Sequence, residues 1–408
     1  VDETNGTMPE PDLAERAELL LGAPLGRQFL GTFADDCLED TLFAALGLGD
    51  VPGTLKFAVE ETPEGGTRTR TLRRRKRRDW RDVHAGEVRA VLRETVAKGE
   101  WRSLGELSEA AMMEQLSGVT ELFGFGGGDV ALWRLTASAA GELRPVAEVL
   151  AAAPATAWWW DPVELTDQRQ LVWEGWHGEQ HAGRGLFGVE AAMRSEMARR
   201  HAQNERDAGR RKGKRRRRGA PRPGERNLGA TWWSAPDFAP GTWTTGPRGG
   251  LPALELGHFI DTFFPFGESA ASVARLTLDA GARVAEIRGP RDWQRFVSRF
   301  PCEVTSSHDG EWRDWGDVDG PWYLPDWAAV AGHYDGVHVT VGGFLATCGL
   351  AQPVGDGHTM LAGWVPDATL WLRDVVTDHR PLGVWRGDPD DCGEWEEILA
   401  GWWPHTPE

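Results

Sequence analysis

The sequence predicts an α+β fold, with a helical N-terminal region followed by a Trp-rich, mostly antiparallel sheet carrying short helices. Three observations carry this reading. Before about residue 155, apolar side chains recur at helical spacing. Beyond it the texture changes to short apolar runs broken by Gly, Pro and Asp. In addition, 19 of the 22 tryptophans lie after residue 157, against two tyrosines in the whole chain. Trp combines the largest apolar face with a single N–H donor, so such a cluster implies a large core, a stacking surface, or both. At 408 residues the chain exceeds one ordinary core. Two domains are expected, residues 1–155 mainly α-helical and residues 156–408 Trp-rich α+β.

Taken in order, Leu13, Ala17, Leu20 and Leu21 mark a first helix, and Leu38, Leu42, Phe43 and Leu46 a second that Gly47 stops. Val88, Val91, Leu92 and Val96 predict a helix over 86–98. Leu104, Leu107, Ala111 and Met112 predict another over 103–116, with Ser103 and Glu106 as its capping box. A helix over 142–152 ends before Pro154. In the second region, 273–278, 283–288 and 337–341 read as strands, with 359–364 and 370–376 as weaker candidates. Trp293, Phe296, Val297 and Phe300 fall on one face of a helix over 291–300, and Pro325-Asp326-Trp327 opens a second short helix. The acidic Glu394 and Glu397 and the terminal Trp pair read as an amphipathic closing helix.

Composition bounds the surroundings. Cys37, Cys302, Cys348 and Cys392 are far apart with no CxxC pair, as expected of reduced thiols rather than a disulfide frame or zinc knuckle. The first residues show no basic and apolar leader, and no stretch of 18 apolar residues follows, so a cytoplasmic protein without membrane contact is expected. Five lysines among 45 basic residues suggest the codon bias of a GC-rich bacterium.

The net charge of -17 is strongly segregated. Residues 67–81 carry +8 and residues 194–226 carry +10, which leaves -35 on the remainder. So acidic a body repels nucleic acid, and only Arg68–Arg81 and Arg210–Arg226 could grip its backbone. The second run, rich in Gly and Pro, is expected to be a basic disordered insertion at about 207–228.

No cofactor motif is present. The loop Phe123-Gly124-Phe125-Gly126-Gly127-Gly128-Asp129 lacks phosphate-loop spacing and a following lysine, and His177 and His181 lack the Glu placement of a zinc helix, so neither cofactor nor metal is expected. Two candidate sites remain. In the strand around His338, alternation puts Val337, Val339 and Val341 on one face and His338 with Thr340 on the other, as in a cleft wall. Asp335, Asp326 and Glu286 are carboxylates that could complete a general-base pair with His338. The second candidate is aromatic: Trp159, Trp232 and Trp233, in adjacent runs of Trp, could stack a ligand.

Arg283 and Arg288 on a strand, then Thr305-Ser306-Ser307, then Glu394-Trp395-Glu396 follow the order of elements in ADP-ribosyltransferase toxins, and this stretch of about 115 residues resembles that family. It departs in the triplet, which the family writes Ser-Thr-Ser on a strand, and in the helical look of the Glu pair. The function expected is a binding protein with an aromatic-lined surface for an unknown small molecule or protein. The alternatives are an enzyme, His/carboxylate-based or ADP-ribosyltransferase-like, and an acidic interaction protein for a basic partner.

Overall fold

The computed structural model describes residues 10–35, 38–46, 57–61, 67–71, 82–124, 136–173, 202, 206, 233–235, 243–257, 270–386 and 403–405. The fold is α+β, with helices mainly in the N-terminal part and antiparallel-rich sheets later. The first part holds α1 (Leu13–Gly22), α2 (Pro24–Ala34), α3 (Leu38–Leu46), α4 (Ala85–Lys98), α5 (Glu109–Gly124) and α6 (Arg144–Ala152), with the hairpin β1 (Phe57–Glu61) and β2 (Thr67–Thr71) between α3 and α4. The Asp12 side chain accepts from Glu15 N and starts α1, whose Ala17, Leu20 and Leu21 are buried. Helix α2 escaped the sequence reading because Gly26 and Gly31 interrupt its pattern. Its Arg27 is buried and donates to Thr136 Oγ1 and to the carbonyls of Leu21 and Gly22 at the end of α1. Burial lowers the Arg27 pKa to about 10.

The expected capping box at Ser103 is not the start of a helix. Residues Glu100–Glu106 form a 3₁₀ segment, and α5 starts later, with Ser108 Oγ accepting from Ala111 N at 3.2 Å. Likewise Pro154 opens a 3₁₀ turn, Pro154–Trp160, that carries the Trp triplet. Proline suits a first turn, where its missing N–H costs nothing.

The second part contains β3 (Gln168–Trp173), β4 (Trp243–Thr244), β5 (Ala270–Leu278), β6 (Val284–Ile287), α7 (Pro290–Arg299), β7 (Pro301–Glu303), α8 (Thr305–Gly316), β8 (Tyr323–Pro325), α9 (Trp327–Val330), β9 (Gly336–Val339), α10 (Val341–Thr347), β10 (Gln352–Val354), β11 (Gly357–Thr359), β12 (Ala368–Trp371), β13 (Val376–Arg386) and β14 (Trp403–His405). One sheet runs β4-β12-β9-β6 and another β14-β13-β5-β3, joined by an antiparallel bridge from Arg169 to Thr245. Among the described strands pairing is antiparallel except β6 with β9, and the isolated bridges Trp322 to His358 and Cys348 to Leu361 are also parallel. Trp403 lies in β14, paired with Arg386, rather than on the expected closing helix; Trp402, Glu394 and Glu397 lie outside the described residues.

Thr340 ends the strand rather than continuing it. Its hydroxyl accepts from Gly343 N and caps α10, so Val341 lies in a helix. Gly343 is required by close approach, because a Cβ there would stand 2.1 Å from Ile287 O. The main apolar core runs from Ala17 to Leu372 and draws on residues from both sides of residue 155, with two smaller clusters beside it, one around Leu171, Leu251 and Val273 and one of Leu276, Leu278 and Trp371. Trp159, Trp160, Trp293, Trp312, Trp322 and Trp327 are fully buried in the main core, and Trp371 is fully buried in the last of these clusters. Among the described residues no helix is long and apolar enough to cross a membrane. The insertion at 207–228, the Arg210–Arg226 run, residues 72–81 and the Gly-rich loop beyond Gly124 lie outside the described residues.

Candidate functional site

The candidate site is built across three neighbouring strands. In the parallel β6–β9 pair, Glu286 stands opposite His338, and in the antiparallel β9–β12 pair His338 stands opposite Thr369. Directly opposed residues present their side chains on one face, which brings Glu286 to His338. Its Oε2 lies 2.6 Å from His338 Nδ1, while its Oε1 accepts from Val163 N at 3.1 Å. On the other side Asp367, just before β12, places Oδ1 3.3 Å from His338 Nε2, and its Oδ2 accepts from Gly246 N at 3.3 Å.

The local sequence explains Asp367. Val365-Pro366-Asp367-Ala368 is a turn closed by Ala368 N to Val365 O at 3.3 Å, with Pro preset for the first central position. Asp367 takes the second central position with φ 56°, a left-handed conformation that Gly adopts freely and that Asp tolerates among the side-chain-bearing residues. A carboxylate therefore occupies a position where backbone preference favours glycine, and both its oxygens are engaged.

The His338 side chain is 1% exposed, against 11% for Glu286 and 12% for Asp367. Strand β9 is buried on both faces, which corrects the expectation of a half-exposed polar face. Burial alone pulls the His338 pKa down. The charge of Glu286, the hydrogen bonds to Asp367 and Glu286, and the charge of Asp367 outweigh it and hold the pKa at about 10. With both nitrogens engaged, His338 is a buried imidazolium that braces two carboxylates. It does not face a ligand.

Asp367 does. It lines a small pocket of about 70 Å³ with Asp161, Glu164, Asp167, Gln168, Gly246, Pro247 and Arg248. Asp161, following the Trp triplet, has its pKa raised by burial, with the charges of Glu10 and Asp367 adding to the rise and Arg248 and Arg16 opposing it. Asp167 is paired with Arg169 and with Arg275, the latter at 2.9 Å. The Arg248 guanidinium lies 4.2 Å from the centroid of the Trp158 ring. Among the described residues no three His, Cys, Asp or Glu side chains are grouped so as to hold a metal ion.

The remaining sequence candidates lie elsewhere. Asp335 sits at the opposite end of β9, where it accepts from Arg283 N at 2.8 Å and from its guanidinium, with Arg373 at 3.7 Å. Burial pushes its pKa up, but the hydrogen bonds from Arg283 and the charges of both arginines hold it below the ordinary value. The structure thus joins His338 to Glu286 and gives Asp335 to the arginines. Trp159 is buried, 5.6 Å from Phe29 and 6.4 Å from Trp160, and offers no face to a ligand. Trp233 is half-buried against Gly363, where a Cβ would come within 2.1 Å of its ring, and its carbonyl lies 3.1 Å from His308 Nε2. Trp232 lies outside the described residues. Thr340 is taken up by its capping role.

Of the set resembling ADP-ribosyltransferases, Arg283 pairs with Asp335 and Arg288 donates to Trp160 O at 3.0 Å. Thr305-Ser306-Ser307 opens helix α8 where that family has a strand, and Glu394 and Glu396 are outside the described residues. Sequence reasoning missed Asp367, Asp161 and Arg248. The one available signal was the Pro366-Asp367 turn. No protein-family model, curated protein or solved structure matches this chain.

Proposed function

We propose that the protein binds a small molecule through a cationic group received in the pocket beside Asp367. One observation carries this reading: the Asp367 carboxylate is fixed in the pocket wall by a buried imidazolium and the Gly246 N–H, on left-handed backbone. Buried charge and unfavourable backbone are concentrated at functional sites, where the surroundings hold a group ready for a ligand. The lining supports the sign of the charge. Asp161, Glu164 and Asp367 face one arginine, and the raised pKa of Asp161 reports a desolvated carboxyl near other negative groups. A cation entering there relieves that repulsion. The aromatic part of the reading narrows to Trp158, beneath Arg248.

The test is calorimetric titration of the full chain with methylamine, guanidinium and putrescine at low salt. Saturable binding is expected, weakened at least tenfold by Asp367→Asn, which removes the charge but keeps a residue suited to left-handed backbone. Protonation of Asp161 weakens binding as the pH falls through its raised pKa. Absence of saturable binding by any of the three would overturn the reading.

A second reading rests on Asp161 specifically. A carboxyl with a raised pKa beside the braced Asp367 is the arrangement of an acid–base pair, with Asp161 as proton donor and Asp367 as acceptor. In that enzyme His338 would be a positioning residue.

A further inference from the structure

We propose that the ligand of the Asp367 pocket is zwitterionic, carrying a carboxylate beside its ammonium group as an α-amino acid does. This deepens the cation-binding reading and rests on it. Among the described residues, Arg248 is the only arginine or lysine that lines the pocket. Its guanidinium carbon lies 4.2 Å from the centroid of the Trp158 ring, and its Nε is buried without a hydrogen-bond partner. A buried donor left unmatched is costly, and Arg248 supplies positive charge at the pocket wall. A bare cation in this pocket meets the Arg248 charge, and a bare anion meets Asp161, Glu164 and Asp367. A ligand bearing both charges satisfies both walls.

Gly246 shows that the two walls face one point. A Cβ built on it would stand 3.1 Å from Asp367 Oδ2, 3.7 Å from Arg248 Nε and 3.8 Å from Arg248 Cζ. Glycine at 246 therefore keeps the space between a carboxylate oxygen and the edge of a guanidinium clear of any side chain. The ammonium is placed towards Asp367 and Asp161, and the carboxylate towards Arg248, whose planar fork suits it. The pocket volume of about 70 Å³ matches a compact head group, since a water occupies about 30 Å³ in the liquid.

The experiment is calorimetric titration of the full chain with glycine, L-alanine, methylamine and acetate. Glycine or L-alanine is expected to bind at least tenfold more tightly than methylamine, with acetate not binding. In Arg248→Gln that preference should fall to about one while methylamine binding persists. Gly246→Ala should abolish binding of all probes with an unchanged melting temperature. Should that variant fail to fold, Arg248→Gln and Asp367→Asn still decide the question. Methylamine binding as tight as that of the amino acids would overturn the zwitterion and leave the cation reading standing. No binding of any probe, or acetate binding best, would overturn both.

Discussion

Replacing His338 with glutamine removes the positive charge between Glu286 and Asp367 and leaves two poorly solvated carboxylates facing a neutral amide. Breaking a buried ion pair by removing one partner costs about 3–5 kcal/mol. The pKa of His338 gives a second route to the magnitude. Moving it from 6.5 to about 10 corresponds to about 5 kcal/mol at about 1.36 kcal/mol per pH unit. The folded state holds the proton more tightly than the unfolded one. This stabilisation is therefore complete below pH 6.5 and is lost as the pH rises towards 10. Urea unfolding followed by tryptophan emission, at steps between pH 6 and 10, measures the difference between wild type and His338→Gln. Other groups titrating in that window contribute to both proteins and cancel in the difference. The gap should be several kcal/mol at pH 6 to 7 and should narrow steadily towards pH 10. A gap under about 1 kcal/mol at pH 7, or one that does not change with pH, would refute the buried imidazolium and with it the bracing of Asp367.

Two further outcomes follow from the same structure, alongside the titrations proposed above. Gly343→Ala forces a methyl onto the Ile287 carbonyl at the seam of α10 and β6, and thermal denaturation should show a loss of about 1–3 kcal/mol or more. Asp335→Ala strips the Arg283 N–H and guanidinium of their acceptor and should cost about 1–3 kcal/mol by urea unfolding. Amine binding should survive in this variant, because Asp335 lies away from the pocket; equal loss of binding would place it in the site.

Much of the local structure was legible. Trp293, Phe296 and Val297 marked α7, and they are its buried face; β5 and β6 also fell near their expected places. The errors share a cause, which is that a local signal fits more than one outcome. Ser103 with Glu106 has capping-box spacing, yet Ser108 starts the helix. Val337 to Val341 alternates as a strand, yet Thr340 with two following glycines suits a helix cap, and contact with Ile287 selects the cap. The Trp runs read as core or as stacking surface, with packing favouring core. Burial of Trp159 and Trp160 decides for core at that run.

The sequence by itself determined the α+β class, the helical and strand periodicities and the suspicion that His338 pairs with one of Asp335, Asp326 and Glu286, because propensity, capping and alternation act over a few residues. Only the tertiary structure decided what His338 does. Its partners lie 52 and 29 residues away and reach it through the β6–β9 register and the turn before β12. The same packing buried the imidazole, carried Asp335 to the arginines and left Asp367 as the carboxylate in the pocket wall. Strand pairing and burial are set by the whole core, and no local pattern encodes which carboxylate meets the histidine and which meets a ligand.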